Sequence, residues 1–160
     1  MSNTFPRGSD LNLPTIKSGD GCYLIDENGK YYFDAGGAAV SSLGHSDLKV
    51  KNAIKSQLDQ VAFAHTSFFK SQKAEDLCKL LAKNAPGDLD RVYVVSGGSE
   101  AMESAIKLAR QFYIEKNKPR KHRIIARQQS YHGNTLGSLA TGGNQIRRDT
   151  FLPLLIESSH

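Results

Sequence analysis

Two short runs hold the residues whose chemistry is least explained by packing. The first is Val94-Val95-Ser96-Gly97-Gly98-Ser99-Glu100-Ala101. An apolar run leads into a glycine turn and straight on into a helical pattern. Gly98 and Ser99 therefore stand where the first backbone N–H groups of a helix lack internal partners and the helix dipole favours an anion. Glycines let a phosphate approach the backbone closely, and the Ser99 hydroxyl adds a donor. A capping box would satisfy those groups within the protein, yet position 102, three beyond Ser99, is Met. On pattern alone, a plain Ser-capped helix with glycines for tight packing is the alternative. The second run is Ser130-Tyr131-His132-Gly133-Asn134-Thr135. Tyr131 offers a flat ring for stacking and His132 a proton carrier near neutral pH. Read by itself, such a pair is as readily a surface feature.

The familiar nucleotide fingerprints are absent: there is neither a Walker-type phosphate loop nor a GxGxxG turn. Gly97-Gly98-Ser99-Glu100-Ala101 does come within one residue of the GxSxG nucleophile elbow. A serine hydrolase with Ser99 as nucleophile is thus a competing reading, with His132 or His160 required as its base.

The elements that must position these runs follow from periodicity. The first 20 residues, with Pro6, Gly8, Pro14 and Gly19, read as an extended lead-in. Cys22–Asp26 and Lys30–Asp34 read as a hairpin turned at Asn28-Gly29. A glycine-rich loop runs on to His45. Ser46-Asp47 is a helix N-cap, followed by Val50, Ile54, Leu58 and Val61 at helical spacing. A second helix spans about Ser71 to Ala85 and stops at Pro86-Gly87. Arg91–Val95 and Arg123–Arg127 read as buried parallel strands, with the Glu100–Glu115 helix as their crossover. A short helix before Gly142-Gly143 and a third strand at Leu154–Ile156 complete the expectation. Both chemical runs then fall at the carboxyl ends of consecutive strands, where ligands of parallel α/β sheets sit. The sheet reaches His160 without a closing helix, so the sequence reads as the front of a longer α/β protein.

Composition bounds the alternatives. The 160 residues are 39% hydrophobic and 23% charged, an ordinary globular balance. No apolar run approaches the roughly 18 residues a membrane span needs, and the N-terminus lacks the apolar core of a secretory signal. Cys22 and Cys78 stand far apart with no CxxC, so neither a metal site nor a disulfide is expected, and a cytoplasmic setting is. The net charge of +5 is concentrated: Lys116 to Arg148 holds eight cations and no acid. With Tyr131 the only aromatic in that tract able to stack on bases, it reads as a solvated surface rather than a nucleic-acid site.

Taken together, these pieces resemble the class III pyridoxal-phosphate-dependent aminotransferases, of fold type I architecture. The matching segments are Tyr23-Leu24-Ile25-Asp26 with Gly29 and Tyr32-Phe33-Asp34; Leu43-Gly44-His45; Ser96 to Ala101 with Glu103, Ala105, Lys107, Leu108, Ala109 and Arg110; and Ser130-Tyr131-His132-Gly133. One departure is Ser46-Asp47-Leu48, where the family usually has a proline, and a shifted helix start is expected there. The resemblance implies an α/β fold: an N-terminal hairpin segment (residues 1–45, part of the small domain), then the start of a mainly parallel cofactor-binding domain (46–160). It implies that Gly98 and Ser99 hold the phosphate of pyridoxal 5'-phosphate, that Tyr131 stacks on its ring and that His132 lies beside it. Ala39, Phe63 and His65 would lie near the substrate entrance. It further implies a homodimer that moves an amino group from an amine or amino acid to a 2-oxo acid. The family's Schiff-base lysine comes later than this sequence extends, so the chain alone is expected to be inactive. Lys107 is on the right helix, but eight residues beyond Ser99 places it roughly 12 Å down the axis, and it is expected to pair with Glu103 at i,i+4.

Overall fold

The computed structural model describes residues 3–5, 8, 12–36 and 42–156, so Ala39 lies outside the described residues. The chain divides into two compact units, Met1–Ser71 and Gln72–His160.

The first unit is built on a three-stranded antiparallel sheet in the order β1-β2-β3: β1 (Ile16–Asp20), β2 (Tyr23–Asp26) and β3 (Tyr31–Phe33). The hairpin forms where Asn28-Gly29 predicts it, with Gly29 at φ 79°. Tyr23 faces Phe33 across the ladder and Ile25 faces Tyr31, and the Tyr23 ring meets both Tyr31 and Phe33 edge to face. The lead-in is more than extended chain. Its last residues form β1, paired with β2 through Asp20 opposite Tyr23. The alternation that betrays a strand is diluted there by Ser18 and Gly19, so only the pairing reveals it.

Asp26 holds the hairpin. Its carboxylate accepts the backbone N–H of Lys30 at 2.8 Å, that of Asn28 at 2.9 Å and the Tyr32 hydroxyl at 3.0 Å. Helix α1 (Leu48–Gln60) follows, and the Asp47 carboxylate accepts the Val50 N–H to cap it. The start at Leu48 thus needs no proline. Ser46 and His45 tie the entry to α1 back to the β1–β2 turn: Gly21 N–H donates to Ser46 Oγ and His45 N–H to the Gly21 carbonyl. His45 Nε2 also lies 2.9 Å from Asp34 Oδ2.

The second unit carries α2 (Gln72–Asn84), α3 (Gly98–Glu115), α4 (Leu136–Thr141), α5 (Gln145–Arg148) and a 3-10 helix over Asp149–Leu154. The expected parallel sheet is absent among the described residues. Arg91–Val95 and Arg123–Arg127 form neither helix nor strand, and neither has a ladder partner. An apolar run reports a tendency to be buried, whereas a strand is defined by a hydrogen-bonded neighbour. Tyr93, Val94 and Ile125 are accordingly exposed. The third strand is also corrected: Leu154 ends the 3-10 helix, whose hydrogen-bond pattern accommodates Pro153 where a central strand would not. Ala140 is the one buried hydrophobic residue among those described, beside buried Ser138, Thr141 and Arg148. No helix among the described residues is long and apolar enough to cross a membrane.

The hairpin has a measurable acid signature. The donated Lys30 N–H, with Tyr32 and Asn28 adding to it against the opposing effect of desolvation, holds the Asp26 carboxyl below its ordinary value. A carboxylate depressed in the folded state contributes stability at pH values above its unfolded value, and that contribution is lost as pH falls through the folded one. In an NMR titration the Asn28 and Lys30 amide shifts are expected to move together with a midpoint below about 3.9, the ordinary aspartate value. Asp26→Asn should abolish the titration, and a midpoint at or above the ordinary value would contradict the arrangement.

Candidate active site

Helix α3 begins two residues earlier than a Ser99 cap would place it. Its N-cap is Gly97, in extended conformation, and no N-cap side chain bonds to the free N–H groups of the first turn. Gly98 is the first helical residue and Ser99 the second. Glu100, in the same turn, is exposed, and its carboxylate makes no hydrogen bond among the described residues. Neither Gly97 nor Gly98 has a positive φ, and a Cβ added to either would meet no atom within 4 Å. The fold itself therefore does not demand glycine at either position. Close approach of a group from outside the chain is the remaining physical reason for both.

The loop carrying Tyr131 and His132 is docked on this helix start. Asn134 N–H donates to Ser99 Oγ at 2.7 Å, and Ser138 Oγ lies 3.3 Å from the Ser99 carbonyl. Because Ser99 uses its oxygen as the acceptor, its own proton stays available to donate. Gly133 makes the contact feasible. It sits at φ 135°, and a Cβ there would fall 2.8 Å from Ser99 Cα. The upstream end of the loop is held separately: Gln129 N–H donates to the Gly143 carbonyl, and Gly143 N–H donates to Ser130 Oγ. Tyr131 lies between the two anchorages. The Arg147 guanidinium stands over its ring at 4.9 Å from the centroid, which covers one face and orders the ring. His132 is half-buried.

The structure thus brings Ser99 together with the loop that bears Tyr131 and His132, adjacent to Gly98. Phe63 and His65 belong to the other unit. They follow α1 as exposed residues in mutual edge-to-face contact, with ring centroids 6.2 Å apart. Two cavities of the second unit, about 540 and 720 Å³, are lined by residues other than Gly98, Ser99 and Tyr131. The hydrolase reading gains no support among the described residues, which do not include His160: the hydrogen-bond donor to Ser99 Oγ is a backbone N–H, and His132 is not among its partners.

Two features escaped sequence reasoning. Glu103 does not pair with Lys107. Its carboxylate turns the other way, accepting the Thr135 hydroxyl at 2.5 Å and Ser138 N–H at 3.1 Å. The i,i+4 rule sees only the helix's own residues and is blind to a competing loop. Half of the eight cations of the basic tract are committed within their own unit, Arg147 over Tyr131 among them. Lys116 and Lys121 lie over Phe112 and Tyr113. Arg148 is buried, donating to the Leu139, Ala140 and Gly142 carbonyls that end α4.

Known proteins share this fold. The crystal structure of adenosylmethionine-8-amino-7-oxononanoate aminotransferase from Methanocaldococcus jannaschii superposes with a TM-score of 0.88 at 32% identity, over 93% of this chain and 34% of that one. The omega transaminase from Pseudomonas jessenii in complex with PMP superposes with a TM-score of 0.86 at 27% identity, over 94% and 35%. These define the fold as that of the class III aminotransferases. The family described as "Aminotransferase class-III" matches residues 4–160, and the chain belongs to it. Among its relatives, an uncharacterized aminotransferase of Bacillus subtilis, YodT, is 42% identical over 143 residues, which is 89% of this chain and 32% of that protein. The chain spans about a third of the length of the relatives it matches.

Substituting Gly133→Ala should break the dock. The new methyl would meet Ser99, and φ 135° is strained for alanine, at a cost of about 1–3 kcal/mol. The expected result is fast hydrogen exchange at the Asn134 amide with helix content preserved; an amide as protected as in the parent chain would contradict it.

Proposed function

We propose that this chain is the cofactor-cradling portion of an aminotransferase that moves an amino group from an amine or amino acid to a 2-oxo acid by means of pyridoxal 5'-phosphate. The observation that carries this is the tether from Asn134 to Ser99, which fixes an aromatic loop beside a helix start that no N-cap side chain closes. The backbone N–H groups of Gly98, Ser99 and Glu100 bind a phosphate, and the Ser99 hydroxyl adds a fourth donor. These donors and the positive end of the α3 dipole act on the same anion. Tyr131, steadied by Arg147 on one face, offers the other to the pyridine ring, and His132 lies next to it. When bound, the cofactor supplies the electron sink for the amino-group exchange. The protein's part is to hold the ring in one orientation and keep its phosphate anchored throughout.

The proton shuttle is assigned to a lysine outside these 160 residues. Lys107 is unsuited, two helical turns beyond Ser99 on α3. The chain by itself would then bind without turnover. The resemblance alone assigns residues 1–45 to the small domain and 46–160 to the cofactor-binding domain. It likewise makes Ala39, Phe63 and His65 substrate-side residues and the whole protein a homodimer, while the cysteine pattern and the aromatic-poor basic tract supply the reading of a cytoplasmic protein without a nucleic-acid partner.

The test is binding of pyridoxamine phosphate, which carries no aldehyde to react with the thirteen lysines. Saturable binding is expected, weakened about ten-fold by Ser99→Ala or Tyr131→Ala, as the loss of one hydrogen bond to a charged group or one stacked ring implies. Pyridoxamine without phosphate should bind far more weakly. Equal affinity for the two compounds would refute the phosphate cradle, and labelling of Ser99 by a fluorophosphonate would favour the hydrolase.

A further inference from the structure

We infer that Glu103 is a positioning residue for the aromatic loop, setting where Tyr131 stands relative to the start of α3 and so the affinity for a phosphorylated pyridine ring. The inference rests on the functional reading above for its ligand, but not for its geometry. Residues four apart share one helix face. Ser99 and Glu103 are therefore stacked on the side of α3 that meets the loop, and each holds a different part of it. Ser99 takes the Asn134 N–H. Glu103 takes the Thr135 hydroxyl and the Ser138 N–H. The Thr135 contact, at 2.5 Å, has the length of a charge-assisted bond.

The surroundings are fitted to that carboxylate. A Cβ at Gly137 would fall within 3 Å of the Glu103 carboxyl group, so a larger residue there would push that carboxyl aside. Ser138, one residue on, is wholly buried. Glu103 has no ion-pair partner among the described residues, although Lys107 stands one turn along the same helix. A glutamate serving only helix solubility would turn to that lysine. This one turns to the loop. With the Ser130–Gly143 bond fixed at the upstream end, loss of the Glu103 bonds would leave the segment from Tyr131 onward tied to α3 only through Ser99, by the Asn134 N–H and the longer Ser138 hydroxyl contact.

The experiment uses the full chain and four variants: Glu103→Ala, Glu103→Gln, Thr135→Val and Thr135→Ser. Pyridoxamine phosphate binding is followed by its own fluorescence, and the Asn134 and Ser138 amides by hydrogen exchange. Glu103→Ala and Thr135→Val should each weaken binding about ten-fold, the scale of one hydrogen bond to a charged group. Both should speed exchange at the two amides; Thr135→Val also removes the side chain that caps α4 at the Ser138 N–H, so Glu103→Ala is the variant whose far-UV helix signal should stay unchanged. Glu103→Gln and Thr135→Ser keep the acceptor and the hydroxyl, and should recover most of the affinity. Parent-like binding and exchange in Glu103→Ala and Thr135→Val would overturn the assignment, as would a glutamine variant as damaged as the alanine one. If the parent chain takes up no pyridoxamine phosphate, the functional reading fails on its own. The exchange rates then still decide the role of Glu103: faster exchange on its removal upholds it, unchanged exchange ends it.

Discussion

Two acceptors one helical turn apart on α3, the Ser99 hydroxyl and the Glu103 carboxylate, organise the second unit. Between them they take the N–H groups of Asn134 and Ser138 and the hydroxyl of Thr135. A polar loop would otherwise present these groups to water at no cost, and nothing would fix its aromatic residue. Each bond is worth only about 1–3 kcal/mol. Gly133 and Gly137 let the loop and α4 approach until all of them form at once. The result is a helix whose first turn has no N-cap side chain while Ser99 and Glu103 on its flank hold the loop.

That division of labour explains the glycines. Gly133 is demanded by the Ser99 backbone and by its own backbone angle, and Gly137 leaves room for the Glu103 carboxylate in the place it occupies. Gly97 and Gly98 are demanded by neither a neighbouring atom nor a backbone angle. In a chain that belongs to the class III aminotransferases, the second pair fits the role of a backbone open to a phosphate. The cations nearby in sequence contribute little to that role, because Arg148 ends α4 and Lys116, Lys121 and Arg147 lie over rings of their own unit.

What could be read from the sequence was what short-range physics decides. The Asn28-Gly29 hairpin, the Asp47 cap, the Pro86-Gly87 stop and the short helix before Gly142 all depend on a few adjacent residues, and all are present. Pairing was illegible. β1 carries too little alternation to announce itself, while Arg91–Val95 and Arg123–Arg127 carry the apolar signature of strands without a described partner to make them so. At the candidate site, Gly98, Ser99 and Tyr131 stood out because their two runs follow apolar segments and together match a family pattern, although each alone has an ordinary reading. Glu103 was hidden because a glutamate on an amphipathic helix has an ordinary explanation, and only the loop folded against it shows the other one. The exposed apolar residues of α3, such as Leu108 and Phe112, mark surface that the described residues do not cover.

The central claim is that the amide groups of Gly98, Ser99 and Glu100 receive the anion. Backbone-resolved NMR during addition of inorganic phosphate, and then of pyridoxamine phosphate, addresses them directly. The account predicts that these three amides shift downfield and saturate with both compounds, with the Tyr131 ring protons responding only to the second. Shifts confined to Lys116–Arg127, with Gly98 to Glu100 unmoved, would contradict it and return the anion to the basic surface.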